Sequence, residues 1–324
     1  MKVLGMGNAL VDVLAKINND DMLPALGLLR GAMTLIDKDH FTKLSKVLNG
    51  MDKHVVSGGS ASNTIVGLAA LGIESGFIGR IGKDLYGRQY KEDLQKYGVQ
   101  LHLAEVEDHS GVASTFISKD GERTFGTYLG AAAMLSPDDI SAEVFHGYDL
   151  FYIEGYLVQN YALIEKAVKL AKESGLVVAI DLASFNVVEA NSDFLKTIIP
   201  QYVDVVFANE EEALVLTGLP PEDAVSEIHK MADLAIVKTG ANGSWIQQGS
   251  TKMNVPVNKV TCVDATGAGD LYAAGFIYGL AMGKEPETCA KVGSLVAREV
   301  IQTIGPKVPQ DRWIYIKEEV AALM

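Results

Sequence analysis

The sequence predicts an α/β protein in which a mostly parallel central sheet carries helices on both faces, with a small second β-sheet inserted as a lid. Three features carry this reading. Short runs rich in Val and Ile, at 203–207 and 234–237, are continuous rather than alternating, as expected of strands covered on both faces. Amphipathic stretches at 161–172 and 210–217 lie between such runs, and right-handed crossovers would spread these helices over both sides of the sheet. The rhythm breaks at 99–106, 113–118 and 124–129, which read as successive strands. Lys119, Asp120, Gly121, Glu122 and Arg123 join the last two through an Asp-Gly hairpin turn. With further strands at 15–17 and 31–36, the lid is drawn from segments 15–36 and 99–130. No linker or fixed-period repeat marks a boundary, so 1–324 is expected to form one domain.

Of the 324 residues, 48% are hydrophobic and 21% charged, enough apolar material for a large core. A formal net charge of -13 argues against a nucleic-acid or anionic-membrane partner, since both reward a basic surface. An anionic ligand must then be held by local structure. Cys262 and Cys289 are too few for a disulfide framework or a cysteine-based metal site, which suits a reducing cytoplasm. The six histidines show no metal-ligand spacing. Residues 1–12 lack the shape of a signal peptide, and no apolar run approaches the length of a membrane span.

The strongest chemical signal is Asp264, Ala265, Thr266, Gly267, Ala268, Gly269, Asp270, leading into the apolar run 271–282. Glycines let successive N–H groups turn into one cavity, and a helix beginning there adds its positive end, so the place suits phosphate. A carboxylate beside bound phosphate is repelled by it and needs a purpose. As a general base at an attacking hydroxyl, Asp270 would contribute roughly 10²–10⁴ in rate. The amides of Gly267, Ala268 and Gly269 would stabilise the charge that builds on the transferred group. A helix cap and a tight turn would account for Asp270 alone, but not for the whole string.

This string resembles the carboxy-terminal signature of the ribokinase (PfkB) family, in which the last Asp is the base and the Gly-Ala-Gly amides form the anion hole. Gly58, Gly59, Ser60, Ala61, Ser62 and Asn63, continuing through Gly67 and Leu71 to Gly72, resemble its amino-terminal signature, about two hundred residues earlier. The resemblance implies a ribokinase-like three-layer α/β/α sandwich and an ATP-dependent kinase. It assigns Gly58, Gly59 and Asn63 to sugar hydroxyls. Asn209, Glu210, Glu211, Glu212 is similar to the family's Asn-x-x-Glu motif and implies that Asn209 and Glu212 organise Mg²⁺ through water; acids matched to a helix dipole are the plain alternative, kept for Glu210 and Glu211. Lys238, Thr239 and Gly240 resemble the nucleotide-contacting region, although the family's Thr-x-Gly is here Thr-Gly directly. Thr266 joins the nucleotide side, and Gly293, Ala297 and Ile301 would border the adenine because small residues on a helix leave room for a flat ring, with close helix packing the alternative. Arg123 would close over the phosphates with the lid, and Asp264 with the backbone near Ile301 to Gly305 would form a K⁺ site.

The opening Gly5, Met6, Gly7, Asn8, Ala9, Leu10, Val11, Asp12 looks like the start of adenosine kinases within the family, implying that Asn8 and Asp12 reach ribose hydroxyls and Leu10 lies beside a purine. The stretches 127–131 and 301–305 are similar to adenosine-kinase-like sequences. Adenosine phosphorylated at its 5′-OH is the expected substrate, with ribose, fructose and 2-keto-3-deoxygluconate as alternatives and a non-catalytic nucleoside sensor as a rival of another class. Phe116, Phe125, Tyr128 and Tyr156 are candidates for a ring against the base. A dinucleotide-binding oxidoreductase needs a glycine where Leu10 stands. The inserted sheet would either cover its own site or pair with a second chain, giving a monomer or a homodimer.

Overall fold

The computed structural model describes every residue from Met1 to Met324. Its strands, in chain order, are β1 (Val3–Met6), β2 (Leu10–Lys16), β3 (Met33–Leu35), β4 (Lys53–Gly58), β5 (Ser75–Gly82), β6 (Gln100–Val106), β7 (Gly111–Ile117), β8 (Arg123–Tyr128), β9 (Leu150–Glu154), β10 (Val177–Asp181), β11 (Val205–Asn209), β12 (Leu234–Lys238), β13 (Ser244–Gln248) and β14 (Thr251–Val255). Nine of them form one large sheet in the order β14-β13-β12-β11-β10-β9-β1-β5-β6. Every pairing from β12 across to β6 is parallel, and β13 and β14 run antiparallel at one edge.

Alternation along the strands sorts the core onto two faces. In β9, Phe151 and Ile153 join an apolar cluster with Ile164 and Val168 of the helix Tyr161–Glu173. Tyr152 points the other way, into a cluster with Phe207 and with Phe276 of the helix Ala268–Ala281. The helices expected at 161–172 and 210–217 form over Tyr161–Glu173 and Glu210–Thr217. No helix is long and apolar enough to cross a membrane.

Strand order also locates the site. β1 leads on to its neighbour β5 on one side, whereas β9, its neighbour on the other side, leads on to β10 in the opposite direction. The carboxyl ends of β1 and β9 therefore flank a topological switch point, the crevice where open α/β sheets bind ligands. Asn8 follows β1, and Glu154, Asp181, Asn209 and Lys238 end β9, β10, β11 and β12, all at this same edge.

The second sheet has the order β3-β8-β7-β2-β4. Its hairpin forms at the expected turn: the Ser118 amide donates to the Glu122 carbonyl at 2.8 Å, and Gly121 turns with φ +89°. The expected strand at 99–106 belongs elsewhere. It is β6, paired in parallel with β5 at the edge of the large sheet, where none of its residues is fully buried. In its place stands β4, whose short Gly-ended run carries little strand signal and which pairs antiparallel with β2. The sheet is also mixed, since β2–β7 and β3–β8 are parallel. Val11, Val13 and Phe116 of this sheet share one apolar cluster with Val3, Phe77 and Phe207 of the large one.

Candidate active site

Two helix starts meet at the crevice. Gly59 has φ +90°, and a Cβ there would stand 2.3 Å from the Asn8 carbonyl oxygen, so only glycine permits the turn that opens the helix Ser60–Leu71. Gly267, at φ +78°, opens the helix Ala268–Ala281 in the same way, pressed against Pro306. The two helices touch at Gly67, where a Cβ would lie 2.9 Å from Ala274 and Leu271. This contact brings their first turns together. Ser60 Oγ donates to Asp270 Oδ1 at 2.7 Å and Asn63 Nδ2 donates to Oδ2 at 2.9 Å, the two donors standing three residues apart on one helix face. Thr64 Oγ1 adds a bond to the Asp270 carbonyl at 3.1 Å.

Asp270 is half-buried, and desolvation raises its pKa to about 6, against the opposing pull of the Asn63 and Ser60 hydrogen bonds; nearby Asp181 raises it further. Such a carboxylate is ionised at neutral pH yet more basic than an exposed one. It is held on both oxygens, so its direction is set before any ligand arrives.

The loop preceding it is braced by Asp264. Thr266 donates to Asp264 Oδ1 from its amide at 3.0 Å and its hydroxyl at 2.8 Å, and the Gly305 amide donates to Oδ2 at 2.6 Å. Arg123 completes the set with an ion pair to Oδ2, and its Nη1 donates to Thr266 Oγ1 at 3.1 Å. Arg123 is thus buried at the start of β8, tying the small sheet to the loop, rather than exposed at the hairpin tip. The Ile301 carbonyl accepts from the Val263 and Asp264 amides at 2.7 and 3.1 Å.

On the β10–β12 side, Lys238 Nζ donates to Asp181 Oδ2 at 2.7 Å. A Cβ on Gly269 would lie 3.2 Å from that ammonium, so the charge rests beside the glycine loop. Burial pulls the Lys238 pKa down, but Asp181 and Glu212 together outweigh it and hold it above the usual range. Asn209 and Glu212 form a reciprocal helix cap: the Glu212 amide donates to Asn209 Oδ1 at 2.8 Å, the Asn209 amide to Glu212 Oε2 at 2.8 Å, and Asn209 Nδ2 to Oε1 at 2.7 Å. Glu212 is buried, and burial, followed by Asp181, pushes its carboxyl above the ordinary range. Each Glu212 oxygen keeps a lone pair beyond the cap. Thr239 turns inward, its hydroxyl and amide both donating to the Gly243 carbonyl at 2.9 and 2.8 Å, while Gly240 turns there with φ +52°.

On the β1 side, Asn8 Nδ2 donates to Glu154 Oε1 at 2.7 Å, and the Ala61 amide to Oε2 at 3.0 Å. Burial lifts Glu154 to about 7 despite these bonds. Asp12 lies against Gly58, where a Cβ would be 2.3 Å from Oδ2, and burial raises it to about 6. Leu10 is half-buried over Gly111. Of the four aromatic candidates, Phe116 is sealed in the core and buried Tyr128 stacks on Phe41 at 4.9 Å, while Phe125 is half-buried. Tyr156 is half-buried, and burial, then Glu154, Asp270, Glu212 and Asp181, lift its hydroxyl to about 12.

Gly293 sits inside a helix contact, where a Cβ would meet the Tyr272 carbonyl at 2.7 Å, so its smallness serves packing of the helices Ala268–Ala281 and Pro286–Val300. Ala297 is half-buried on the latter helix. Four side chains absent from the expected site belong to it: Ser60, Glu154, Asp181 and Lys307. For Glu154 and Asp181 a signal existed, an acid closing an apolar strand. An oriented carboxylate at a helix start beside an ammonium can deprotonate a hydroxyl next to a bound polyanion; the Ala268 amide, expected among the donors, instead donates to the Ala265 carbonyl at 3.1 Å and closes the turn.

A family model described as pfkB family carbohydrate kinase matches residues 20–313. Adenosine kinase 2 of Arabidopsis thaliana is 27% identical over 332 residues, covering 95% of this chain and 96% of its own. The 5-dehydro-2-deoxygluconokinase of Bacillus subtilis is 30% identical over 260 residues, covering 75% and 80%. Among solved structures, the adenosine kinase from Sinorhizobium meliloti superposes with a TM-score of 0.87 at 33% identity, covering 98% of both chains. A probable sugar kinase from Rhizobium etli gives 0.88 at 32%, covering 100% of this chain and 99% of its own.

Proposed function

Because this chain belongs to the pfkB family of carbohydrate kinases, with a ribokinase-like fold, we propose that it moves the γ-phosphoryl group of ATP to the primary hydroxyl of a nucleoside or sugar, with Asp270 as base. The carrying observation is the carboxylate of Asp270, fixed by Ser60 and Asn63 at the start of the helix Ala268–Ala281. Asp270 takes the hydroxyl proton, the freed oxygen bonds to the γ-phosphorus, and the bond from that phosphorus to the bridging oxygen of ADP breaks. The amides of Gly267, Gly269 and Asp270 and the ammonium of Lys238 meet the charge on the transferred group.

Asn209, Glu212 and Asp181 suit Mg²⁺ held through its waters, since Glu212 and Asp181 are acids crowded together and a divalent cation would relieve their repulsion. Mg²⁺ would supply neutralisation of the phosphate oxygens. For K⁺ the fit is poor at the Asp264 side chain, because Thr266 (twice), Gly305 and Arg123 fill its acceptor positions. No step is assigned to K⁺, and a cation there requires Arg123 to leave.

Adenosine is the acceptor favoured here. It is supported by the full-length likeness to the Sinorhizobium enzyme and by Tyr156, a ring at the site wall. A neutral or acidic sugar is the second reading, supported by the gluconokinase relatives. We place the enzyme, as one domain, in the cytoplasm. A coupled ADP-release assay with Mg²⁺, run with adenosine, inosine, ribose, fructose and 2-keto-3-deoxygluconate in K⁺ and in a large organic cation, decides among these. ADP release with none of them would overturn the kinase reading.

A further inference from the structure

Lys307 is a charged group that the mechanism leaves unused. Its Nζ is completely buried and has no hydrogen-bond partner. An ammonium withdrawn from water without an acceptor is costly, and such a group in a binding crevice points to a ligand that supplies the missing lone pair.

Its place in the fold fixes what that ligand touches. Lys307 follows Gly305, whose amide holds Asp264, and Pro306, which presses on Gly267 at the start of the Asp270 helix. The side chain runs from there toward Asp12, Asp93 and Asp270, the three acids whose charges act on it, Asp12 most strongly. Among the charges acting on Asp12, in turn, Lys307 ranks first, followed by Arg123, Asp270 and Asp264. No ion pair forms, so Asp12 and Lys307 face each other across a gap. Asp93 is already engaged, accepting from the Ser57 amide at 2.9 Å beside Gly58.

We propose that Lys307 binds the phosphoryl acceptor, its Nζ donating a hydrogen bond to an acceptor hydroxyl whose own O–H donates a hydrogen bond to Asp12. This rests on the reading that the acceptor lies between Asp12 and Asp270. The chemistry also selects the acceptor class. Asp93 is already ion-paired with Lys96 at 2.9 Å and Asp264 with Arg123, so one ammonium faces two carboxylates without an ion pair, Asp12 and Asp270; the lining stays negative, a neutral polyhydroxyl compound is received and a sugar acid is repelled. Within the second reading above, the neutral sugars are therefore kept and the aldonic acids excluded.

The test uses the full chain, Lys307→Met, and Lys307→Gln in case the first variant fails to fold. Acceptor binding is measured by calorimetry without ATP, and KM and kcat by ADP release, for adenosine and its 2′-deoxy and 3′-deoxy analogues, or for ribose and its deoxy analogues if ribose is the better acceptor. The expected result is a roughly 10–100-fold loss of acceptor affinity and rise in acceptor KM, with the KM for ATP within about threefold. That loss should shrink toward unity for one deoxy analogue, because the hydroxyl Lys307 would hold is missing from it. An equal loss for every analogue, no loss at all, or a sugar acid used faster than any neutral acceptor by the unaltered enzyme overturns the proposal. Those results leave phosphotransfer standing. An unaltered enzyme that releases ADP with no acceptor overturns both.

Discussion

The two sides of Asp270 are built on opposite terms. Toward β10–β12, the polar groups already hold hydrogen-bond partners: Lys238 with Asp181, Glu212 with Asn209, and Asp264 with Arg123, Thr266 and Gly305. Toward β1 and β2, groups are buried with valences unfilled, Lys307 Nζ and Asn63 Oδ1 among them, and Asp12 is lifted to about 6 by desolvation. A matched network can hold its shape and yield one partner at a time to a polyanion, as Lys238 would on leaving Asp181 for a phosphate. Unfilled valences fix the shape of a small neutral ligand in advance. On the proposed reading, the first side takes the triphosphate and the second the acceptor, with Asp270 on the line between them.

The largest effect that would break this division is at the line itself. Asp270→Asn should lower turnover by roughly 10²–10⁴ and leave acceptor affinity within about threefold, measured by ADP release and calorimetry. On the matched side, Lys238→Met leaves Asp181 buried without its partner, so denaturant unfolding should show a loss of about 3–5 kcal/mol and the KM for ATP should rise. Gly59→Ala tests the turn that carries Ser60 to Asp270. With φ +90° and a carbonyl 2.3 Å from the new Cβ, it should cost about 1–3 kcal/mol in the same unfolding experiment and lower kcat as well.

The smallest expected effect is a pH profile that sharpens the comparison. Asp270, raised to about 6, loses its base form as pH falls, so kcat/KM should drop about fivefold between pH 6 and 5. Stability moves the other way. Between about pH 4 and 6 the folded Asp270 and Asp12 keep protons that the unfolded chain has released, so this pair makes stability decline as pH rises through that window. A melting series from pH 4 to 7, comparing the unaltered chain with Asp12→Asn, reads this out as a flatter slope in the variant.

How much of this was legible in the sequence follows from how each part is encoded. Asp264 to Asp270 and Gly58 to Asn63 are contiguous, and glycines at fixed offsets state a backbone path, so both loops, and Asp270 as the proposed base, could be read directly. Asn8 and Asp12 were legible for the same reason. Asp181 and Glu154 each stand alone after an apolar strand, and only the parallel register of β9 to β12 gathers them at one edge. Lys307 lies in a stretch without a regular element, and its meaning is three-dimensional: it is buried, and nothing nearby in sequence says so. Arg123 was found as a residue but misplaced, because a hairpin motif locates a turn and not the loop 143 positions away with which its side chain bonds. β6 and β4 exchanged sheets for a related reason, since alternation reports exposure rather than partner.

A single-turnover experiment is the most direct test of the central claim, because it removes product release from view. The unaltered chain and Asp270→Asn are each loaded with acceptor and a limiting amount of γ-labelled ATP, then quenched over time. The account predicts that both bind the label, and that its passage to the acceptor slows by at least about 10² in the variant. Transfer at a near-normal rate in Asp270→Asn would contradict it.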